Sequence, residues 1–237
     1  MAQFAASAEF TALCGSCGIT AGEIRLGTGD TPGRKIDPTK PMVALTWDDG
    51  PSIYTPRILD VLEKYNAVAT FFVIGNLVSK NASNVRREAA LGCEIGNHSW
   101  SHATLTKLSE AGIASEISST SEAVYAITGV YPKVMRPPGG GFNAVVRSVA
   151  DMPLIIWSID TLDWKTKNTS STISAVLDHV KDGDIVLMHD LYQATANAAE
   201  SIVSGLLSQG YQLVTVSELA YYRGGMSAGT AYYHFRP

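Results

Sequence analysis

From Met42 onward the sequence alternates short apolar runs with amphipathic helical patterns, and this rhythm constrains the fold more than any other feature. MVALTW (42–47) is strand-like and leads into the helix-patterned PRILDVLEKY (56–65). VATFFVIG (68–75) and VRREAALG (85–92) repeat the pair, with Gly92 ending the helix. The pattern continues through EIGNH (94–98), SEAGIASEISSTSEAVYAITG (109–129), YPKVMR (131–136), FNAVVRSVA (142–150) and LIIWSI (154–159). STISAVLDHV (171–180), DIVLMH (184–189), ANAAESIVSGLLSQG (196–210) and YQLVTV (211–216) complete it. Short connections between such units imply parallel strands wrapped by helices. The expected fold is α/β, a distorted (β/α) barrel of about seven parallel strands with surrounding helices. An open doubly wound sheet is the alternative.

Residues 1–40 are rich in Gly, Thr, Ala and Pro with weak periodicity, and read as an N-terminal extension before a single domain at 41–237. The 237-residue chain is 46% hydrophobic, enough to bury one large core. The net charge of −4 argues against nucleic acid as a partner, because phosphate binding needs a basic surface. No apolar run approaches the roughly 18–20 residues needed to span a bilayer. The start, MAQFAASAEF, lacks the basic and apolar segments of a secretory signal. Cys14 and Cys17 form a C-x-x-C, read as a local disulfide or two inert thiols, since a fourth cysteine for a thiolate zinc site is missing. Cys93, in LGCEIG, is expected in the core.

In a parallel β/α architecture the active site lies beyond the C-terminal ends of the strands. Five of these ends carry polar groups. MVALTW runs into Asp48-Asp49-Gly50-Pro51, EIGN into His98-Ser99-Trp100-Ser101-His102, and KVM into Arg136-Pro137-Pro138-Gly139. LIIWSI runs into Asp160-Thr161-Leu162-Asp163-Trp164, and DIVLM into His189-Asp190. Each has a bland reading alone. Asp-Asp-Gly-Pro is a plausible turn, Arg136 a rim charge, His189 a satisfied core histidine. His98 and His102, four apart, could face one ion from a helical turn. Arriving together at strand ends, the bland readings become jointly improbable. His179 and His234 follow no strand and receive no role.

The motifs TWDDGP (46–51), HSWSH (98–102), RPPGG (136–140), DTLDW (160–164) and LMH (187–189) resemble those of the polysaccharide deacetylases, carbohydrate esterase family 4. The resemblance covers roughly residues 41–220 and implies a distorted (β/α) barrel. It also implies that Asp49, His98 and His102 bind a divalent metal, usually Zn²⁺, with Co²⁺ or Mn²⁺ as alternatives. Asp48 would then be the general base and His189 the general acid. Arg136 would orient Asp48 and hold it ionised, while Asp163 would hydrogen-bond to His189. Trp164 and Leu187 would line the acetyl pocket. The third motif usually reads R-P-P-Y-G in the family. Here Gly139 stands in place of the tyrosine, keeping the backbone N–H that would serve as oxyanion donor but losing the ring.

One carboxylate and two neutral imidazoles are a usual catalytic zinc set, with positions left for water and substrate. An amide needs its leaving nitrogen protonated, and a histidinium suits that task near neutral pH. The expected activity is therefore hydrolysis of N-acetyl groups from N-acetylglucosamine residues of a polysaccharide, peptidoglycan above all. Deacetylation of acetylxylan or chitin oligomers is the alternative within the enzyme class, and an inactive carbohydrate-binding domain the alternative outside it. Such a protein is expected at the cell surface or outside the cell, with any signal or anchor absent from this chain.

Overall fold

The computed structural model describes residues 35–237, so Cys14, Cys17 and nearly all of the proposed extension lie outside the described residues. Ile36–Pro237 pack as one unit built around β1 (Met42–Gly50). Its side chains alternate between two environments, as a pleated strand requires. Val43, Leu45 and Trp47 join one apolar cluster, and Met42 and Ala44 join another. A strand buried on both faces belongs in the middle of a parallel sheet.

The remaining strands are β2 (Thr70–Val73), β3 (Glu94–Asn97), β4 (Leu154–Ile155), β5 (Ile159–Asp160), β6 (Asp184–His189), β7 (Gln212–Leu213) and β8 (Ala231–Tyr232). The main ladder runs β3-β2-β1-β6-β5, every pair parallel, with β7 beside the first residues of β1. Beyond β3, single bridges from Asn97 to Met135 and from Met135 to Leu154 carry the pairing into β4, which pairs with β8. Met42, Ala44, Phe72, Val134, Ile155 and Ile185 form one cluster although they come from strands and segments all along this path. They can meet only if the sheet curls around them. The architecture is therefore a parallel α/β fold with the inner core of a distorted barrel, and the open doubly wound alternative is set aside.

The helices are α1 (Thr55–Lys64), α2 (Gly75–Val78), α3 (Ala82–Ala90), α4 (Glu110–Thr128), α5 (Ala144–Ala150), α6 (Asp163–Thr166), α7 (Thr169–Leu177), α8 (Gln193–Ser208) and α9 (Val216–Tyr222), the last packing Val216, Leu219 and Ala220 into the inner cluster. Ile58, Leu59 and Leu62 of α1 pack with Ile202, Val203 and Leu206 of α8 over Leu45 and Trp47. Cys93 is buried in this cluster, as expected. α4 starts where Ser109 accepts a hydrogen bond from the Gly112 N–H, and it ends at left-handed Gly129.

The structure corrects the sequence reading at three strands. YPKVMR is not a strand; only Met135 is bridged, because Pro132, Pro137 and Pro138 lack the N–H groups that a ladder needs. LIIWSI splits into β4 and β5, since the Ile156 N–H goes to Tyr232 and the Ser158 N–H to Ile185. YQLVTV shortens to β7 because Thr215 and Glu218 form a capping box that opens α9.

His234 pairs backbone with Asp184, and Arg236 makes an ion pair with the same residue, at 2.7 Å. The tail lies so close to Gly183 (φ 87°) that an added Cβ would stand 2.2 Å from the Phe235 carbonyl oxygen. Gly183→Ala should destabilise the fold by about 1–3 kcal/mol, through both the left-handed backbone and the displaced tail. Urea denaturation measures this, and an unchanged midpoint would mean that the docked tail contributes nothing to stability.

Candidate active site

Along the inner face of β1 the order Met42, Ala44, Thr46, Asp48 runs from apolar to polar, which makes the C-terminal mouth of the barrel the reactive end. Asp48 is 3% exposed. Its Oδ1 accepts a 2.7 Å bond from Arg136, whose guanidinium is wholly buried. The same Arg136 nitrogen donates to Thr46 Oγ1 at 2.7 Å, while its other two nitrogens donate to the carbonyls of Ile155 (2.9 Å) and Ile156 (2.7 Å). Burial lowers the Arg136 pKa and Asp48 opposes that effect. The rim-charge reading of Arg136 is therefore wrong.

In a regular strand Asp49 would point away from Asp48. The β1–β2 register shifts between Asp48 and Gly50, and Asp49 takes φ 71°, so a bulge turns its carboxylate back to the same side. The Asp-Asp-Gly-Pro segment is thus a bulged strand end, and a simple turn is excluded. His98 Nδ1 donates to the Arg136 carbonyl at 2.7 Å, an acceptor that needs the proton there and so leaves Nε2 facing the carboxylates. His98 Nε2 lies 3.3 Å and His102 Nε2 3.2 Å from Asp49 Oδ1. The two histidines do not share a helical turn, as their spacing suggested. They converge through a loop in which Ser99 (φ 63°) and His102 (φ 58°) are both left-handed.

One ligand atom from each of Asp49, His98 and His102 lies within 4.8 Å of the others. Asp49 Oδ1 is buried without a hydrogen bond, although two ring nitrogens face it. Lone pairs aimed at a common point without proton-mediated geometry suit a cation. Burial raises the Asp49 carboxyl, yet the imidazoles of His102 and His98 outweigh it and hold the group far below the ordinary range. Asp49 raises the His102 pKa in turn, so an ion bound here would compete with a proton on that ring.

His189 ends β6 as the register partner of Asp48 on the adjacent strand, and alternation along β6 puts Ile185, Leu187 and His189 on one face. Asp163 grips it twice, accepting from the backbone N–H and from Nδ1, both at 2.8 Å. Nε2 is left for the cleft. Burial lowers the His189 pKa, but Asp163, with help from Asp48 and Asp49, raises it above its ordinary value. Trp164 is 45% exposed at the start of α6, whereas Leu187 is buried next to Thr46 in the ladder. Gly139 is exposed at φ 62°, with nothing near an added Cβ.

Sequence reasoning missed two supporting hydroxyls. Thr46, two residues before Asp48 on the same face, accepts from Arg136 and donates to the Val186 carbonyl at 2.6 Å. The two-residue period could have found it. Thr195, on α8, donates to Asp163 Oδ2 at 2.7 Å, and no local signal announces it. Behind the site Asp190 is buried against Gly50, where burial raises its carboxyl to about 7.

The sequence profile of the family described as Polysaccharide deacetylase matches residues 35–152. A peptidoglycan-N-acetylmuramic acid deacetylase, PdaC, of Bacillus subtilis is 43% identical over 185 residues, 78% of this chain and 40% of its own length. A peptidoglycan-N-acetylglucosamine deacetylase, PgdA, of Listeria monocytogenes is 44% identical over 182 residues, 76% of this chain and 39% of its own. The chain thus spans about two fifths of the length of these curated relatives. A solved structure described as T48 deacetylase with substrate superposes with a TM-score of 0.81 at 40% identity, covering 84% of this chain and all of that one. With such matches over most of its length, and over the whole of a solved relative, the chain belongs to the polysaccharide deacetylase family, carbohydrate esterase family 4.

Proposed function

We propose that residues 41–237 form the catalytic unit of a metal-dependent hydrolase that removes N-acetyl groups from N-acetylglucosamine residues of peptidoglycan, acting outside the cell or at its surface. The observation that carries this reading is the placement of Asp48, held by Arg136, directly beside the converging Asp49, His98 and His102. Names borne by the relatives supply the substrate class. Among the described residues no helix is long and apolar enough to cross a membrane.

In this reading Asp49, His98 and His102 hold the ion, and one carboxylate with two imidazoles favours zinc. When bound, the ion supplies a Lewis acid for the acetyl carbonyl and acidifies a water. Asp48 takes the proton of the attacking water, its carboxylate aimed by the fixed Arg136. The Gly139 N–H, on the exposed turn after Arg136, donates to the developing oxyanion. His189, protonated and oriented by Asp163, delivers a proton from Nε2 to the leaving nitrogen. Trp164 and Leu187 flank the acetyl group.

Asp48→Asn should reduce acetate release from N-acetylglucosamine oligomers by about 10²–10⁴, the usual share of a general acid or base. Zinc affinity, read by calorimetry, should change little, and chelation should abolish wild-type turnover. Full activity in the variant or in the chelated enzyme would sink this mechanism.

A second expectation concerns pH. His189 works as an acid only while protonated, so activity is present below its pKa and lost as pH rises through it. Because that pKa is raised, the alkaline limb of kcat/KM should lie above the ordinary histidine value of about 6.5. Asp163→Asn removes the charge that raises it, so the limb should move to lower pH. A limb that stayed in place would belong to some other group.

A further inference from the structure

The wall of the site beside His189 carries a positive charge that a neutral acetamide does not use. α6 begins at Asp163, the residue that grips His189, and ends against left-handed Lys167 (φ 46°). The Lys167 N–H bonds back to the Asp163 carbonyl at 2.9 Å, which fixes this turn relative to the catalytic pair. From there the Lys167 ammonium lies over the ring of Tyr192, 5.3 Å from its centroid. The Tyr192 ring in turn meets the His189 ring edge-on at 6.0 Å. Lys167 is exposed, and among the described residues no carboxylate lies within ion-pair distance of it.

This cation is not part of a generally basic surface, since the chain carries a net charge of −4 and the site itself holds Asp48, Asp49 and Asp163. An aromatic face positions an ammonium without neutralising it, so the charge stays available to a ligand. Tyr192 links that ammonium to His189, so a glycan whose acetamide meets His189 and whose chain follows this wall would come within reach of it. We propose that Lys167, seated on Tyr192, recognises a carboxylate carried by the glycan, and so makes an acidic N-acetylated glycan the preferred substrate over a neutral one. The inference rests on the deacetylase reading above and adds the substrate's charge to it.

The test uses oligomers of alternating N-acetylglucosamine and N-acetylmuramic acid with free lactyl carboxylates, and the same oligomers with those carboxylates converted to amides. The zinc-loaded wild type should prefer the acidic form by about threefold to fivefold in kcat/KM, the range of one exposed ion pair. Added salt should shrink the preference. Lys167→Gln should abolish it and Lys167→Glu should reverse it. Lys165→Gln, at an exposed lysine on the short helix that Lys167 follows, should keep it. A wild type without preference, a preference that survives Lys167→Gln, or one lost equally in Lys165→Gln would each overturn the proposal. A wild type that releases acetate from neither oligomer would overturn the deacetylase reading itself, and this inference with it.

Discussion

A guanidinium with no access to water must find a partner for its charge and for its N–H groups, and the barrel is arranged around the way Arg136 does so. Its donors reach Asp48 and Thr46 on β1 and the carbonyls of Ile155 and Ile156, where the chain leaves β4. The ring of Phe72, from β2, lies 4.3 Å from its guanidinium carbon, and the indole of Trp157 5.6 Å. Even its own carbonyl is engaged, by His98. Breaking a buried pair leaves an uncompensated charge, a loss of about 3–5 kcal/mol. One residue therefore ties together the side chain proposed as base, a proposed ligand and the segment that closes the barrel. The guanidinium sits where the chain passes from β4 to β5, against the carbonyls of the residues at which the pairing changes.

The bulge at Asp49 is the second constraint. Two adjacent carboxylates on one strand would ordinarily face opposite sides, and two on the same side would repel. The left-handed residue brings them together, and the surrounding charges make this tolerable. Arg136 balances Asp48, while the imidazoles of His98 and His102 face Asp49. A divalent ion at that point would relieve the repulsion further, which ties the local backbone strain to a functional purpose. Asp190 and Glu88, lying deeper, lack such partners, and burial raises both of their carboxyls. The contrast shows that Asp49 holds its charge by arrangement, because burial alone drives carboxyls the other way.

Much of this was legible in the sequence. The short apolar runs MVALTW and DIVLMH marked strands that lead to Asp48 and His189. Strand ends in a parallel fold share one mouth, so the polar residues there form a set that the sequence alone discloses. What failed to show was everything set by tertiary partners. Prolines around Met135 removed a strand that hydropathy had promised. The pairing of His98 with His102 came from left-handed loop residues, and the i, i+4 spacing led to the right set for the wrong reason. The resemblance assigned Arg136 to Asp48, as found, but nothing near it in sequence discloses the carbonyls that bury it. The TVSE capping box at 215–218 was present and readable, yet the apolar run beside it dominated.

The two carboxylate–cation pairs of the site differ in a way that bears on which half of the reaction each could serve. Asp48 faces a cation that cannot lose its proton near neutral pH, so the pair is a fixed dipole and the carboxylate is held in one place as an acceptor. Asp163 faces a cation that can, and it is anchored by Thr195, the His189 N–H and the Trp164 N–H, so it stays in place beside the ring. A permanent partner suits a group that must receive a proton, and a titratable partner suits one that must give it away. Exchanging the two partners would leave the net charge of the mouth unchanged. It would leave the proposed base exposed to competition from its own neighbour's titration, and it would leave the proposed reaction without a donor for the leaving group.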